Sequence, residues 1–199
     1  MARPRCEGVR RDLILATFDS VAKHGVDGTS LRDVARATGL SNGTVTYHFP
    51  TKQSLLRSAI GYGFLRTPEG YESADADTAL DWVVSRYVLS TSRRRLWWQF
   101  WLAVTFYAQS DNEVRDRVAE HQDLIIDRWR SYLERRELAE MGELSGDVQE
   151  RARRLAAYAH GLAVHQLIEP SQTEWAEVEI RRVATAPSGA WDLAGGPIR

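Results

Sequence analysis

The sequence predicts an all-α protein of about nine helices. Three observations carry this. Apolar residues recur at helical spacing along nearly the whole chain. Capping and breaking residues punctuate it at helix-length intervals. No run of Val, Ile and Thr alternates with period two, so no strand is expected. With 199 residues, 43% hydrophobic and 27% charged, the chain can bury a core, and its composition excludes wholesale disorder and fibrous repeats.

The first helix carries Leu13, Ile14, Phe18, Val21 and Ala22 on one stripe and ends at His24-Gly25. Thr29-Ser30 offers an N-cap, and Ser30-x-x-Asp33 resembles a capping box for a short helix from Leu31 to Thr38. Gly39-Leu40 makes a tight turn. A third helix runs from Ser41 or Asn42 to His48 and stops at Pro50. Thr51 caps a fourth, which continues to about Leu65. The polar, Pro- and Gly-broken stretch 67–77 reads as a loop between bodies. Longer helices are expected at about 78–91, 93–109, 112–140, 146–168 and 172–186, the last opened by a Ser171-x-x-Glu174 capping box. Residues 187–199 read as a loose tail. The expected organisation is 8–66, 67–186 and the tail 187–199.

Charge divides the chain. The first 57 residues hold nine basic and five acidic side chains. The remainder holds 17 and 22, for a net −1 overall. A basic N-terminal module on an acidic body suggests a polyanionic partner for that module. Arg3, Arg5, Arg10 and Arg11 are then either a solvated charged tail or DNA-contacting arm residues. The single cysteine, Cys6, excludes an intramolecular disulfide and reads as an incidental thiol in a flexible arm. The opening residues have no apolar signal segment, and Leu96–Ala108 is too short to span a bilayer. It reads instead as a central helix, apolar almost all round. No membrane association and a cytoplasmic location are expected.

Residues 30–50 carry the sharpest signal. Two helices of about two turns joined by a Gly-containing turn have the layout of a helix-turn-helix. Ala35 is small where the helices cross, and Gly39 can take the left-handed turn. Val45 and Phe49 share the inward face of the third helix. Gly43 and Tyr47 point the opposite way, flanked by Thr44 and Thr46. That outer face suits a major groove, with Tyr47, His48 and Lys52 where phosphates pass. Lys52 also stands in the first turn of the next helix.

These residues resemble the N-terminal domain of the TetR (tetracycline-repressor) family. The resemblance rests on Thr29-Ser30-Leu31-x-x-Val34-Ala35, Gly39-Leu40-Ser41, Gly43-Thr44-Val45-x-Tyr47-His48-Phe49-Pro50 and Lys52-x-x-Leu55-Leu56. Residues 145–186 are similar to the BetI-like branch. Two small departures are Thr38, where an apolar residue is usual, and Gln53, where an acid is common. The resemblance implies DNA contacts at Ser30, Ser41, Asn42, Thr44, Thr46, Tyr47, His48 and Lys52, with Gly43 beside them. Thr46 stands at a variable position. It also implies a repressor that binds a near-palindromic operator and is released by a small ligand, with no cofactor.

The C-terminal body is read as sensor and dimeriser. Trp82, Tyr87, Trp97, Trp101, Thr105, His121, Gln122 and Trp129 are candidates to line a pocket for a small apolar or aromatic ligand, although aromatics of this kind also simply fill cores. Ala152, Leu155, Ala159, Leu162 and Gln166 form one stripe, and with Trp175 and Val178 of the last helix they are the expected homodimer interface. Two copies multiply the few base pairs one short helix reads. A regulator working through protein contacts of its helical body, without a small ligand, is the alternative.

Enzymatic readings fail. Gly39-Leu-Ser-Asn-Gly43 matches a nucleophile-elbow string, but that chemistry needs a preceding strand. His160 and His165 are five apart and do not share a helix face, so no metal site is expected.

Overall fold

The computed structural model describes residues 3–64, 69–144 and 146–187. The boundary expected near 66, Ser145, the tail beyond 187, and the side chains of Arg3, Arg5 and Cys6 lie outside the described residues. In chain order the helices are α1 (Arg3–His24), α2 (Leu31–Thr38), α3 (Asn42–His48), α4 (Lys52–Phe64), α5 (Ala76–Ser85), α6 (Ser92–Tyr107), α7 (Asn112–Met141), α8 (Val148–Ile168) and α9 (Thr173–Ala184). Among the described residues there is no strand. They form two compact units. One comprises Met1–Thr67 with Ser92–His121, the other Pro68–Thr91 with Gln122–Arg199.

In the first unit, the core is built from Leu13, Val34, Ala35, Val45, Phe49 and Leu55, with Ile14, Leu31 and Leu40 packed against it. The punctuation works as the residue types require. Gly25 and Gly39 take left-handed φ values of 74° and 68°, where a Cβ would strain the backbone. Ser30 accepts from the Asp33 amide at 3.2 Å and Asp33 accepts from the Ser30 amide at 3.2 Å, a complete capping box. Thr51 Oγ1 accepts from the Ser54 amide at 3.0 Å. The segment expected to be an arm is helical, since α1 begins at Arg3. Arg10 is part of the packing: its guanidinium lies 4.7 Å from the Phe49 ring centroid and donates to Ser58 Oγ at 3.2 Å.

The helix α6 packs on α1 through Phe100, stacked on Phe18 at 4.2 Å. A Cβ added at Gly63 of α4 would meet Phe18 at 3.1 Å, so that glycine permits close packing. Trp97 Nε1 donates to Gly63 O at 3.0 Å. The helix is not buried all round: Leu102 is marginally exposed and Phe106 strongly so. Its apolar surplus exceeds what the unit covers.

In the second unit, the expected helix 78–91 stops at Ser85. The reason is Gln166, which is wholly buried. Its Oε1 accepts from the Leu89 amide at 2.9 Å, and its Nε2 donates to Tyr87 O at 2.8 Å and Leu162 O at 3.1 Å. A side-chain amide thus takes the backbone groups that a continuing helix would have satisfied. The preceding loop is also partly ordered. Tyr71 opens a single 3-10 turn and donates its hydroxyl to Arg128 O at 2.9 Å. Asp75 caps α5 through the Thr78 amide at 2.7 Å. The Ser171 capping box does not form. Pro170 opens a 3-10 turn, α9 starts at Thr173, and Ser171 Oγ donates to Glu169 at 3.3 Å instead. Between α7 and α8, buried Arg151 and Glu137 form an ion pair.

Replacing Gln166 with Leu keeps the volume but leaves the buried Leu89 amide and Tyr87 carbonyl without their partner. Urea unfolding should show a loss of about 2 kcal/mol. A loss under about 0.5 kcal/mol would mean that the 86–91 segment does not depend on the clamp.

Candidate nucleic-acid interface

The helix α3 is seven residues long, too short to be stable alone. Val45 and Phe49 hold it by burial. Ser41 caps it, accepting from the Thr44 amide at 3.1 Å. With the inner face anchored, the outer face is determined by helical phase. Gly43, Thr46 and Tyr47 are exposed, as are Ser41 and Asn42, while Thr44 and His48 are half-buried. Tyr47 is 78% exposed, an uncommon state for so large a ring with no packing reason for it. Its ring meets His48 edge-on at 5.2 Å.

The hydroxyls are partly committed. Thr46 Oγ1 donates to Asn42 O at 3.0 Å, which leaves its lone pairs and methyl group facing out. Thr44 Oγ1 and Ser41 Oγ are 2.9 Å apart. Ser30 is spent on its capping box yet remains exposed. Lys52, at the start of α4, reaches Asp27 O at 3.5 Å, a long contact easily exchanged for a phosphate. The expected contact residues are thus all exposed or half-buried in the first unit. Sequence reading missed the groove beside them. Arg10, His48, Arg57, Glu113 and Arg117 line an open depression of about 380 Å³, with Arg57 bonded to Glu113 at 2.6 Å. These pairings span dozens of residues, so no local pattern announces them.

The expected pocket residues sort into two groups. In the first unit, Trp97 and Trp101 lie nearly parallel with centroids 6.0 Å apart. His121 sits 4.9 Å from Trp101 and 5.8 Å from Trp97. Thr105 is one turn further along α6 and half-buried. In the second unit, Tyr87 stacks on Trp129 at 5.9 Å and accepts from its Nε1 at 3.2 Å. Burial pushes the Tyr87 phenol far up from its usual range. Trp82 is half-buried and lies against Tyr71 at 4.9 Å. Gln122 is exposed and joins neither group.

The expected interface stripe needs correction. Ala152, Leu155, Ala159, Leu162 and Gln166 are all buried within the second unit, so a partner could cover little more of them. The large members of that stripe, Leu155 and Leu162, are drawn to the chain's own core. The neighbouring small stripe, Ala157 and Gly161 with His165 and Ile168, is the one left outward. Trp175 and Val178 of α9 are outward, 52% and 65% exposed. Among the described residues no cluster of His, Cys, Asp and Glu could hold a metal ion. No helix there is long and apolar enough to cross a membrane.

A short, capped helix that presents bare backbone, hydroxyls and a phenol after a Gly-containing turn has the layout of the second helix of a helix-turn-helix. The class is a helix-turn-helix DNA-binding protein. Family comparison makes this specific. Residues 13–59 match the bacterial regulatory proteins of the tetR family, and residues 76–186 match the C-terminal part of BetI-type transcriptional repressors. The chain belongs to the TetR family and is a transcriptional regulator rather than an enzyme. It is 24% identical over 166 residues to the HTH-type transcriptional regulator PksA of Bacillus subtilis, covering 81% of this chain and 80% of that one. Its fold is that of a transcriptional regulator from Rhodococcus sp. Rha1, with a TM-score of 0.72, 23% identity, and coverage of 88% and 93%. A putative transcriptional regulator from Saccharomonospora viridis, solved in complex with choline, superposes with a TM-score of 0.68 at 22% identity, covering 88% and 94%.

Two substitutions separate contact from packing. Tyr47→Ala should lower affinity for duplex DNA about tenfold with an unchanged unfolding midpoint, because the ring is exposed. Lys52→Ala should reduce the slope of log affinity against log salt by about 0.9. A slope equal to the parent's would remove Lys52 from the phosphate contacts.

Proposed function

We propose that this chain is a homodimeric repressor that holds a near-palindromic operator and is released by a small molecule. Residues 8–66 do the reading and residues 67–186 do the sensing and pairing. The observation that carries the DNA side is the exposed Gly43–Thr46–Tyr47 face on an anchored helix. One such helix reads only a few base pairs, so specificity requires a second copy at a fixed spacing.

The outward face of α8 and α9 supports pairing. Ala157 and Gly161 let a partner helix approach closely, and Trp175 and Val178 supply apolar area that water otherwise covers. The ligand reading is supported by the aromatic groups around Trp101 and Trp129, and by the small organic molecule held by the S. viridis protein. A ligand releases DNA if it binds better to the conformation in which the two reading heads are wrongly spaced.

Selection from random duplex DNA tests the reading. The expected product is an inverted repeat with one half-site spacing; no enrichment by the folded protein would overturn it. Val178→Glu places a charge on the outward face of α9 without touching a buried residue. Light scattering should then report a monomer with parental helix content. A dimer would move the interface elsewhere.

A further inference from the structure

Three guanidiniums and an imidazole, from four different helices, line one groove of the first unit. Arg10 of α1, His48 of α3, Arg57 of α4 and Arg117 of α7 surround an open depression of about 380 Å³, and Glu113 of α7 lines it with them. Arg10 contacts neutral groups, the Ser58 hydroxyl at 3.2 Å and the Phe49 ring at 4.7 Å. Arg57 donates to Glu113 at 2.6 Å, and Arg117 to Glu120 at 3.2 Å. Both pairs stand in solvent: the side chains are 39% and 60% exposed in the first and 50% and 57% in the second. Pairs so exposed are worth little and exchange partners readily. Even with both carboxylates set against the three guanidiniums, the groove is positive before His48 is considered. Cations gathered in a concave place concentrate the field and attract anions.

His48 says which anion. It lines this groove, and the family resemblance places it among the DNA contacts beside Tyr47, whose ring it meets at 5.2 Å. A duplex backbone reaching His48 carries its next phosphate about 3.4 Å further along the helix axis. We propose that the groove takes a backbone phosphate of the bound operator, next to the one met by His48. Arg57 and Arg117 hold it, and Glu113 is the anion it displaces from Arg57. The exchange replaces a carboxylate by a phosphate oxygen, so Arg57 keeps a charge-assisted hydrogen bond. DNA contact then extends beyond the residues 13–59 matched to the tetR family, because Arg117 belongs to α7. A backbone contact of this kind adds affinity and register but no base preference. The proposal rests on the operator-binding reading above.

The full chain is titrated onto the selected operator at several salt concentrations. Arg117→Gln, at an exposed position, should weaken binding about threefold. It should lower the slope of log affinity against log salt by about 0.9 per half-site, with the unfolding midpoint and the enriched sequence unchanged. Arg117→Lys keeps the charge and should keep the slope. Glu113→Gln removes the competing carboxylate and should tighten binding. Methylphosphonates, each removing one phosphate charge, are then placed in turn along the operator backbone. At one position the change should weaken the parent and leave Arg117→Gln at its own affinity. The inference is overturned if Arg117→Gln keeps the parental slope, if Glu113→Gln binds more weakly than the parent, or if no phosphate position separates Arg117→Gln from the parent. Inorganic phosphate that raises the unfolding midpoint of the parent but not of Arg117→Gln, with equal slopes on DNA, would assign the groove to a free phosphate and overturn it too. A parent that holds no selected duplex removes the operator reading and the groove's role with it. A parental slope in Arg117→Gln, on an operator that the parent holds, removes the groove alone.

Discussion

The DNA-reading surface depends on the burial of Val45 and Phe49. A helix of seven residues does not persist by its own hydrogen bonds. It exists because its inner face completes a core with Leu13, Val34 and Leu55, and because Ser41 and Gly39 set its start and the turn before it. Once the inner face is fixed, helical phase determines which residues point away, and Tyr47 is among them. The positions that are buried thereby decide which side chains are left outward.

The same unit incorporates α6 and the beginning of α7. The Phe18–Phe100 stack and the hydrogen bond from Trp97 to Gly63 join α6 to helices that bear on the reading surface. Exposed ion pairs such as Arg57–Glu113 contribute little on their own, so this packing does more to position the surface than the visible salt bridge.

In the second unit, polar groups inside an apolar body shape the backbone. Gln166 ends α5 early by taking the backbone groups of the 86–91 segment. Glu137 and Arg151 pair between α7 and α8. An unpartnered buried polar group is strongly unfavourable, so the chain bends to satisfy those it has. In the same unit the Arg86 and Arg128 guanidinium carbons lie 4.6 and 4.7 Å from the Trp82 ring centroid.

The sequence by itself determined the all-helical class, the family, the capped short helices of 30–50 and the outward row of α3. Their signals lie within a few residues of one another along the chain: Ser30 with Asp33, Ser41 with Thr44, Val45 with Phe49. The tertiary structure alone decided which stripe of α8 faces out. Both stripes are apolar or small, and only packing against the rest of the unit drew Leu155 and Leu162 inward and left Ala157 and Gly161 at the surface. It also decided where α5 ends, because Gln166 reaches across 77 residues to Leu89. Finally, it brought Arg86 and Arg128 onto one indole. Periodicity reports the neighbours a residue has along its own helix; it carries no record of those supplied by a distant one.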